Sequence, residues 1–225
     1  ADKGASKVIG GALSEEPGID GQKILVSDAA FQAGVKTPGD LGGKSFGMTT
    51  AGSSFHYMGS KVAAAEGDEM SFKPLQKVGA IIGAQKSGQI AAWSIEHHIA
   101  KPQAGSGAVF TSTKNATDER DMTQSFVDAF SAGAADFNAT MLDRAGGDAG
   151  VDAMVDLIHK YVYTDRPREK AAPSIINGAM RINEGAALNT ASVHDQLDWF
   201  KAGDLVPDGV TMETLVDTSY VKTIG

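Results

Sequence analysis

The feature that most constrains the fold is a regular alternation of short β-type runs with amphipathic helical stretches across residues 44–100. The β-type runs lie at residues 44–49, 70–75 and 89–95. Two helical stretches separate them, the first ending near Gly67 and the second at Lys86 before Gly88. Short connections from strand to helix to strand favour parallel pairing with helices on the sheet faces. We therefore expect a parallel βαβ layer in this segment.

The rest of the chain is partly β-type and then mostly helical. Short β-type runs lie at residues 7–9, 23–26 and 108–112, the first two separated by a turn at 16–18. Apolar residues at helical spacing then predict helices at 118–142, 151–161, 169–187 and 193–202. Ser192 is the predicted N-cap of the last helix, and Gly203 ends it. A short helix is also expected from about Glu96, with a tight Gly/Ser/Ala-rich connection at 102–108.

Composition excludes several classes of protein and site. The chain has 20 Lys and Arg against 28 Asp and Glu, a net charge of −8, and no long basic run. Nucleic acid is therefore a disfavoured partner, because neutralising phosphates needs a dense cationic surface. No apolar run approaches the roughly 20 residues that span a bilayer. The absence of cysteine rules out disulfides, thiolate metal sites and cysteine nucleophiles.

The most informative local motif is a glycine turn between the β-type run at 44–49 and the helix that follows it. The residues that we assign to this turn as candidate anion ligands are Thr49, Thr50, Gly52, Ser53 and Ser54. Free backbone N–H groups, hydroxyls and the positive end of the helix dipole converge at such a turn. The alternative is that Ser53 or Ser54 only caps the helix. The G-x-x-x-x-G-K-[ST] phosphate loop is absent.

A second candidate region lies where the run at 89–95 ends, at Trp93, Glu96 and His97. The carboxyl ends of strands in open α/β sheets are where ligands bind. A metal site is disfavoured, because the adjacent His97 and His98 diverge on a helix and no H-E-x-x-H motif is present. The alternative places Trp93 in the core and the histidines at a solvated helix end. No catalytic constellation assembles, since G-x-S-x-G is absent and the carboxylates are scattered.

Several motifs together resemble a known protein family. Residues 40–49, DLGGKSFGMT, followed by GSS at 52–54, resemble the D-L-x-G-K-x-x-G-x-T and G-S-S of solute-binding proteins from ATP-driven importers. The resemblance is to the group that includes alkanesulfonate, taurine, nitrate and thiamine-precursor receptors. SGQIAAW at 87–93 is similar to that family's S-G-x-V-D-A-W, with Ala91 where the family carries Asp. Further matches lie at 196–200, 205–207 and 215–221.

The resemblance implies an α/β fold of the two-lobed periplasmic-binding-protein type, with mostly parallel sheets and helices on both faces. It assigns residues 1–43 to a partial lobe one and crossover, and 44–107 to lobe two. Residues 108–225 form the return crossover, lobe one and C-terminal helices. Family members have a further N-terminal stretch of βαβ structure, so the first lobe is expected to be incomplete here.

The function that the resemblance implies is a receptor that captures a small polar or anionic organic molecule in an interlobe cleft for import. It implies a membrane permease of an ABC importer as partner, a monomer, no cofactor, no metal and no catalysis. It also implies a periplasmic protein whose signal peptide has been removed, or a lipid-anchored extracellular one. The ligand-binding assignments are Thr49, Thr50, Gly52, Ser53, Ser54, His56, Trp93, Glu96 and His97. The alternative is an enzyme resembling the pyrimidine synthase of thiamine biosynthesis, with His56 or His97 as its active-site histidine.

Overall fold

The computed structural model describes residues 4–13, 22–96 and 108–224, and the chain divides into two compact units. One unit is Gln22–Ala100, and the other combines Ala1–Gly21 with Lys101–Gly225. Residues 22–43, which the resemblance assigns to lobe one and the crossover, lie in the unit Gln22–Ala100. The reason is that the strand at Gln22–Val26 pairs along its whole length with the strand at Ala92–Glu96.

The described residues contain strands in both units. The strands are β1 (Ser6–Gly11), β2 (Gln22–Val26), β3 (Ser45–Met48), β4 (Ser71–Pro74), β5 (Ala92–Glu96), β6 (Ala108–Ser112), β7 (Leu188–Asn189) and β8 (Thr223–Ile224). The predicted turn at 16–18, the short helix after Glu96 and the connection at 102–107 lie outside the described residues.

The helices alternate with strands in the first half and dominate the second. The α-helices are α1 (Asp28–Gln32), α2 (Ser54–Glu66), α3 (Val78–Lys86), α4 (Thr113–Asp118), α5 (Arg120–Phe137), α6 (Gly147–His159), α7 (Arg168–Asn177), α8 (Thr190–Ala202) and α9 (Met212–Leu215). Single 3₁₀ turns lie at Pro38–Leu41 and Glu184–Ala186, and a π-helical turn at Asn138–Leu142.

The unit Gln22–Ala100 is built on a four-stranded sheet with the order β2-β5-β3-β4. Strand β3 is parallel to both β4 and β5, which confirms the predicted βαβ layer. The edge strand β2 runs antiparallel to β5, so the sheet is mixed and not purely parallel. An antiparallel edge strand on an otherwise parallel sheet is common in α/β folds.

Helices cover both faces of this sheet, as predicted. Successive residues of a strand point to opposite faces of the sheet, so Phe46 and Gly47 of β3 lie on different faces. A Cβ built on Gly59 of α2 would lie 2.8 Å from the Phe46 ring, which places α2 against one face. A Cβ built on Gly47 would lie 3.0 Å from a methyl of Ile81, which places α3 against the other.

The second unit contains a two-stranded antiparallel sheet of β1 and β6, with an irregularity between Val8 and Gly10. The helix predicted at 118–142 is observed as α5 and the turn that follows it, while the preceding α4 was not predicted; Glu119, with non-helical dihedrals (φ −119°, ψ 45°), separates α4 from α5. The π-helical turn then follows α5. There the buried Asn138 side chain donates to the Ile182 carbonyl (2.8 Å) and accepts from the Ile182 N–H (3.0 Å).

Two further helix boundaries differ from prediction. The helix predicted at 169–187 ends at Asn177, because Gly178 follows and the chain then leaves the helix. The N-cap of α8 is Asn189 and not Ser192: the Ser192 N–H donates to Asn189 Oδ1 at 2.9 Å. Both serine and asparagine are good N-caps, so only the backbone path decides between them.

Candidate functional site

The glycine turn at residues 49–54 joins the carboxyl end of β3 to the start of α2. Backbone hydrogen bonds from the segment after β4 hold its first part: the N–H of Leu75 donates to the Met48 carbonyl (2.8 Å) and that of Gln76 to the Thr49 carbonyl (2.9 Å). Gln76 adopts a φ of +66° to do this. Sequence reasoning missed Gln76, since no local pattern marks a glutamine for the left-handed region.

Gly52 and Ser53 complete the turn. Gly52 has a φ of +74°, a conformation in which glycine has no steric penalty. Ser53 is the N-cap of α2: its side chain accepts from the His56 N–H at 3.3 Å. The serine N-cap, which was the alternative interpretation of this motif, is therefore present. One side-chain cap satisfies only one of the free N–H groups at a helix start, so a capped helix can still receive an anion.

The first N–H groups of α2 remain available. Among the described residues, the backbone N–H groups of Ser54 and Phe55 have no acceptor, as expected for the first two residues of a helix. The hydroxyls of Thr49, Thr50 and Ser54 likewise have no partner within the described part of the chain. Thr50 and Ser54 are exposed to solvent. The turn therefore presents hydrogen-bond donors from both backbone and side chains.

The electrostatics of α2 favour an anion at this end. The helix has 13 residues and carries no acidic side chain in its first turn. A carboxylate there would neutralise the positive end of the helix dipole, and its absence leaves that partial charge uncompensated. The helices α3, α4 and α8 also lack an acidic first turn, whereas α1, α5, α6, α7 and α9 each carry Asp or Glu there.

His56 lies in the first turn of α2 and contacts the glycine turn. Its Nδ1 accepts a hydrogen bond from the Gly52 N–H at 3.2 Å, and its ring packs edge-on against Phe72 with centroids 4.7 Å apart. An accepting Nδ1 requires the proton of the neutral ring to sit on Nε2. Burial lowers the pKa of the His56 imidazole from its ordinary value of 6.5. The hydrogen bond to Nδ1 and the burial of the ring both favour the neutral imidazole.

Trp93, assigned from the sequence to a ligand-binding wall, is a core residue in the structure. Its exposed fraction is 0%, and its ring lies 5.7 Å from that of Phe55 in an edge-to-face arrangement. The indole Nε1–H donates to Gln85 Oε1 at 2.9 Å. The surrounding cluster consists of Met48, Phe55, Ile81, Ala84, Ile90 and Ile95. The physical reason is that the face of β5 that carries Trp93 is covered by α3.

The remaining sequence candidates are Glu96 and His97. Glu96 ends β5 and pairs through its backbone with Gln22, while His97 lies outside the described residues. Within the described ranges, no three His, Asp or Glu side chains come close enough together to bind a metal ion. Among the described helices, none has both the length and the apolar content needed to cross a bilayer.

Comparison with known proteins shows the fold. The chain matches no protein-family model and no curated protein sequence. Among solved structures it is similar to the alkanesulfonate-binding protein SsuA from Xanthomonas axonopodis pv. citri bound to MOPS. The identity is 20%, the match covers 96% of this chain and 74% of that chain, and the TM-score is 0.63.

A second similar structure is the ligand-binding component of an ABC-type import system from Staphylococcus aureus with zinc bound. It is 12% identical, covers 96% of this chain and 73% of that chain, and also has a TM-score of 0.63. Both neighbours are binding proteins, and at these identities the likeness shows the fold alone. The chain therefore has the α/β fold of the periplasmic binding proteins of ABC importers, which confirms the predicted fold class.

Proposed function

We propose that this protein is a solute-binding receptor of an ATP-driven importer, and that it binds the anionic head group of a small organic molecule at the 49–54 turn. The observation that supports this most is the open start of α2. The N–H groups of Ser54 and Phe55 lie at the positive end of a 13-residue helix directly after a parallel strand. Such a helix start binds anions through its backbone and dipole.

The side chains around this helix start suit an oxyanion. Backbone N–H groups and hydroxyls donate to oxygen without adding a full positive charge, so they favour a monoanion over a metal ion or a cation. The hydroxyls of Thr49, Thr50 and Ser54 would supply donors beside the backbone groups. A sulfonate, nitrate or carboxylate offers two or three oxygens to this set. The Xanthomonas neighbour was solved with MOPS, which is a sulfonate.

The same proposal covers the biological context. As a receptor the protein would deliver its solute to the membrane permease of an ABC importer, act as a monomer without catalysis, and require no cofactor. It would work in the periplasm or as a lipid-anchored extracellular protein. The two binding proteins with the same fold support the receptor role, because both bind a ligand.

The test is a calorimetric titration with MOPS, inorganic sulfate and nitrate, repeated on two variants at Gly52. Gly52→Asp places a carboxylate beside the open N–H groups. At about 5 Å and an effective dielectric near 20, two unit negative charges repel by about 3 kcal/mol, so we expect Kd to rise by roughly a hundredfold or more. Gly52→Asn is the matched control, since Asn has the same shape without the charge and tolerates positive φ.

We expect at least one probe to bind the unmodified protein, and Gly52→Asp to weaken it far more than Gly52→Asn. Equal effects of the two variants on affinity, with both still folded by circular dichroism, would contradict an anion at the turn. Binding of none of the three probes would contradict the proposed oxyanion class.

A further inference from the structure

Asn177 differs from every other asparagine of the chain in two ways. It is the only one of the five followed by glycine, and it is exposed at the last position of α7. The side-chain amides of the other four are hydrogen-bonded, namely Asn115, Asn138, Asn183 and Asn189. Within the described residues, the Asn177 amide has no partner. Nothing therefore holds this amide away from the backbone that follows it.

We propose that Asn177 is a site of spontaneous deamidation, at which the protein changes its own covalent structure with age. The Gly178 nitrogen adds to Cγ of Asn177, forming a five-membered imide. The Cγ–Nδ2 bond breaks, and Nδ2 leaves as ammonia with the proton lost from the Gly178 nitrogen. Water then adds to one of the two imide carbonyls and opens the ring. The products are aspartate or isoaspartate at position 177, and no oxidant or reductant is needed.

The helix end limits the rate of this reaction. In the folded chain the Gly178 N–H donates to the Ser174 carbonyl at 3.0 Å, and the Ala179 N–H donates to the Ile176 carbonyl at 3.3 Å. The nitrogen must be released from this turn before it can reach Cγ. Helix ends open with far lower free energies than the core, so only the last turn of α7 needs to fray. Glycine at 178 presents no side chain to obstruct the approach.

Both products disturb the segment that follows α7. Aspartate at 177 adds a negative charge at the negative end of the helix dipole, which destabilises the helix. Isoaspartate lengthens the main chain by one methylene just before Arg181 and Ile182. Those two residues are fixed by the Arg181–Asp143 ion pair and by the paired hydrogen bonds between Ile182 and Asn138. We therefore expect the aged protein to melt at a lower temperature than the fresh protein.

The experiment is ageing of the full-length purified protein in mildly alkaline buffer, followed by trypsin digestion and mass spectrometry. Cleavage after Lys170 and Arg181 gives the peptide 171–181, in which Asn177 is the sole asparagine. We expect this peptide to gain the mass of NH₂ replaced by OH and to split into two chromatographic peaks. The methyltransferase specific for isoaspartate should label one of them. Peptides that contain the other four asparagines should remain unchanged.

Two variants separate the proposed chemistry from general instability. Gly178→Ala obstructs the attacking nitrogen, and Asn177→Gln requires a less favourable six-membered ring, so both should slow the mass change several-fold. An unchanged 171–181 peptide in the aged protein would overturn the proposal. So would equal conversion of the other asparagines, or a rate unaffected by Gly178→Ala.

Discussion

Truncation of Trp93 distinguishes a core tryptophan from one that contacts a ligand. Trp93→Ala removes a side chain with an exposed fraction of 0%, its edge-to-face contact with Phe55 and its hydrogen bond to Gln85. Replacement of a buried tryptophan by alanine costs about 3–5 kcal/mol. The aromatic pair accounts for about 0.5–1.5 kcal/mol beyond buried area. Because Gln85 is only half-buried, water can replace the lost indole donor, so we expect about 4 kcal/mol.

The matched control is Trp93→Phe, which keeps an aromatic ring in the cluster and loses the indole N–H. Its cost should be smaller, about 1–2 kcal/mol, because the hydrogen bond and some volume are lost while the apolar contacts remain. The assay is urea unfolding followed by far-ultraviolet circular dichroism. Tryptophan fluorescence is unsuitable for following the unfolding of this cluster. In both variants the only remaining tryptophan is Trp199, which lies in the other unit.

The same variants should be titrated with MOPS under conditions in which each is folded. A core role predicts a large loss of stability with Kd close to that of the unmodified protein. A variant Trp93→Ala that unfolds at the same urea concentration as the unmodified protein, and yet loses affinity, would refute the assignment of Trp93 to the core.

Two further predictions concern α2. Gly59→Ala should destabilise the protein by about 1–3 kcal/mol through overpacking, because its Cβ would lie 2.7 Å from the Phe72 ring. Gly83→Ala in α3, where a Cβ meets nothing within 4 Å, should instead stabilise the protein by about 0.5–1 kcal/mol. If chemical denaturation ranks the two variants in the opposite order, the packing of α2 is misassigned. The lowered pKa of His56 means that the unfolded chain binds a proton more readily than the folded one, so the free energy of unfolding should fall as the pH drops below 6.5. Thermal melts of His56→Gln should lose that part of the pH dependence. An identical pH profile in the variant would mean that His56 is not the source of the pH dependence.

Features of the sequence that act within a few residues were predicted well. The strand–turn–helix at 44–67 follows from β-type residues, glycine, a serine cap and apolar residues at helical spacing, all of which act locally. The parallel pairing of β3 with β4 and β5 also followed, because a helix between two strands of one sheet returns the chain in the same direction. Of the two serines proposed as possible caps, Ser53 is the N-cap of α2, for the same local reasons.

Features that depend on the partner of a segment were predicted poorly. Ser192 and Asn189 are both suitable caps, and the choice depends on where β7 ends. The break at Glu119 has no glycine or proline to mark it. The two hydrogen bonds between Asn138 and Ile182 join residues 44 positions apart, and no sequence pattern around Asn138 predicts them.

The sequence by itself determined the α/β class, the strand–helix alternation of residues 44–95 and the glycine turn with its serine cap at 49–54, because each depends on chemistry within one or two turns of chain. Only the tertiary structure decided that β2 runs antiparallel at the sheet edge, that Gln76 anchors the turn and that Trp93 is buried. A strand presents two faces by alternation, and the sequence of the strand does not say which helix covers each face. Which side chains reach solvent is therefore decided by packing between distant segments.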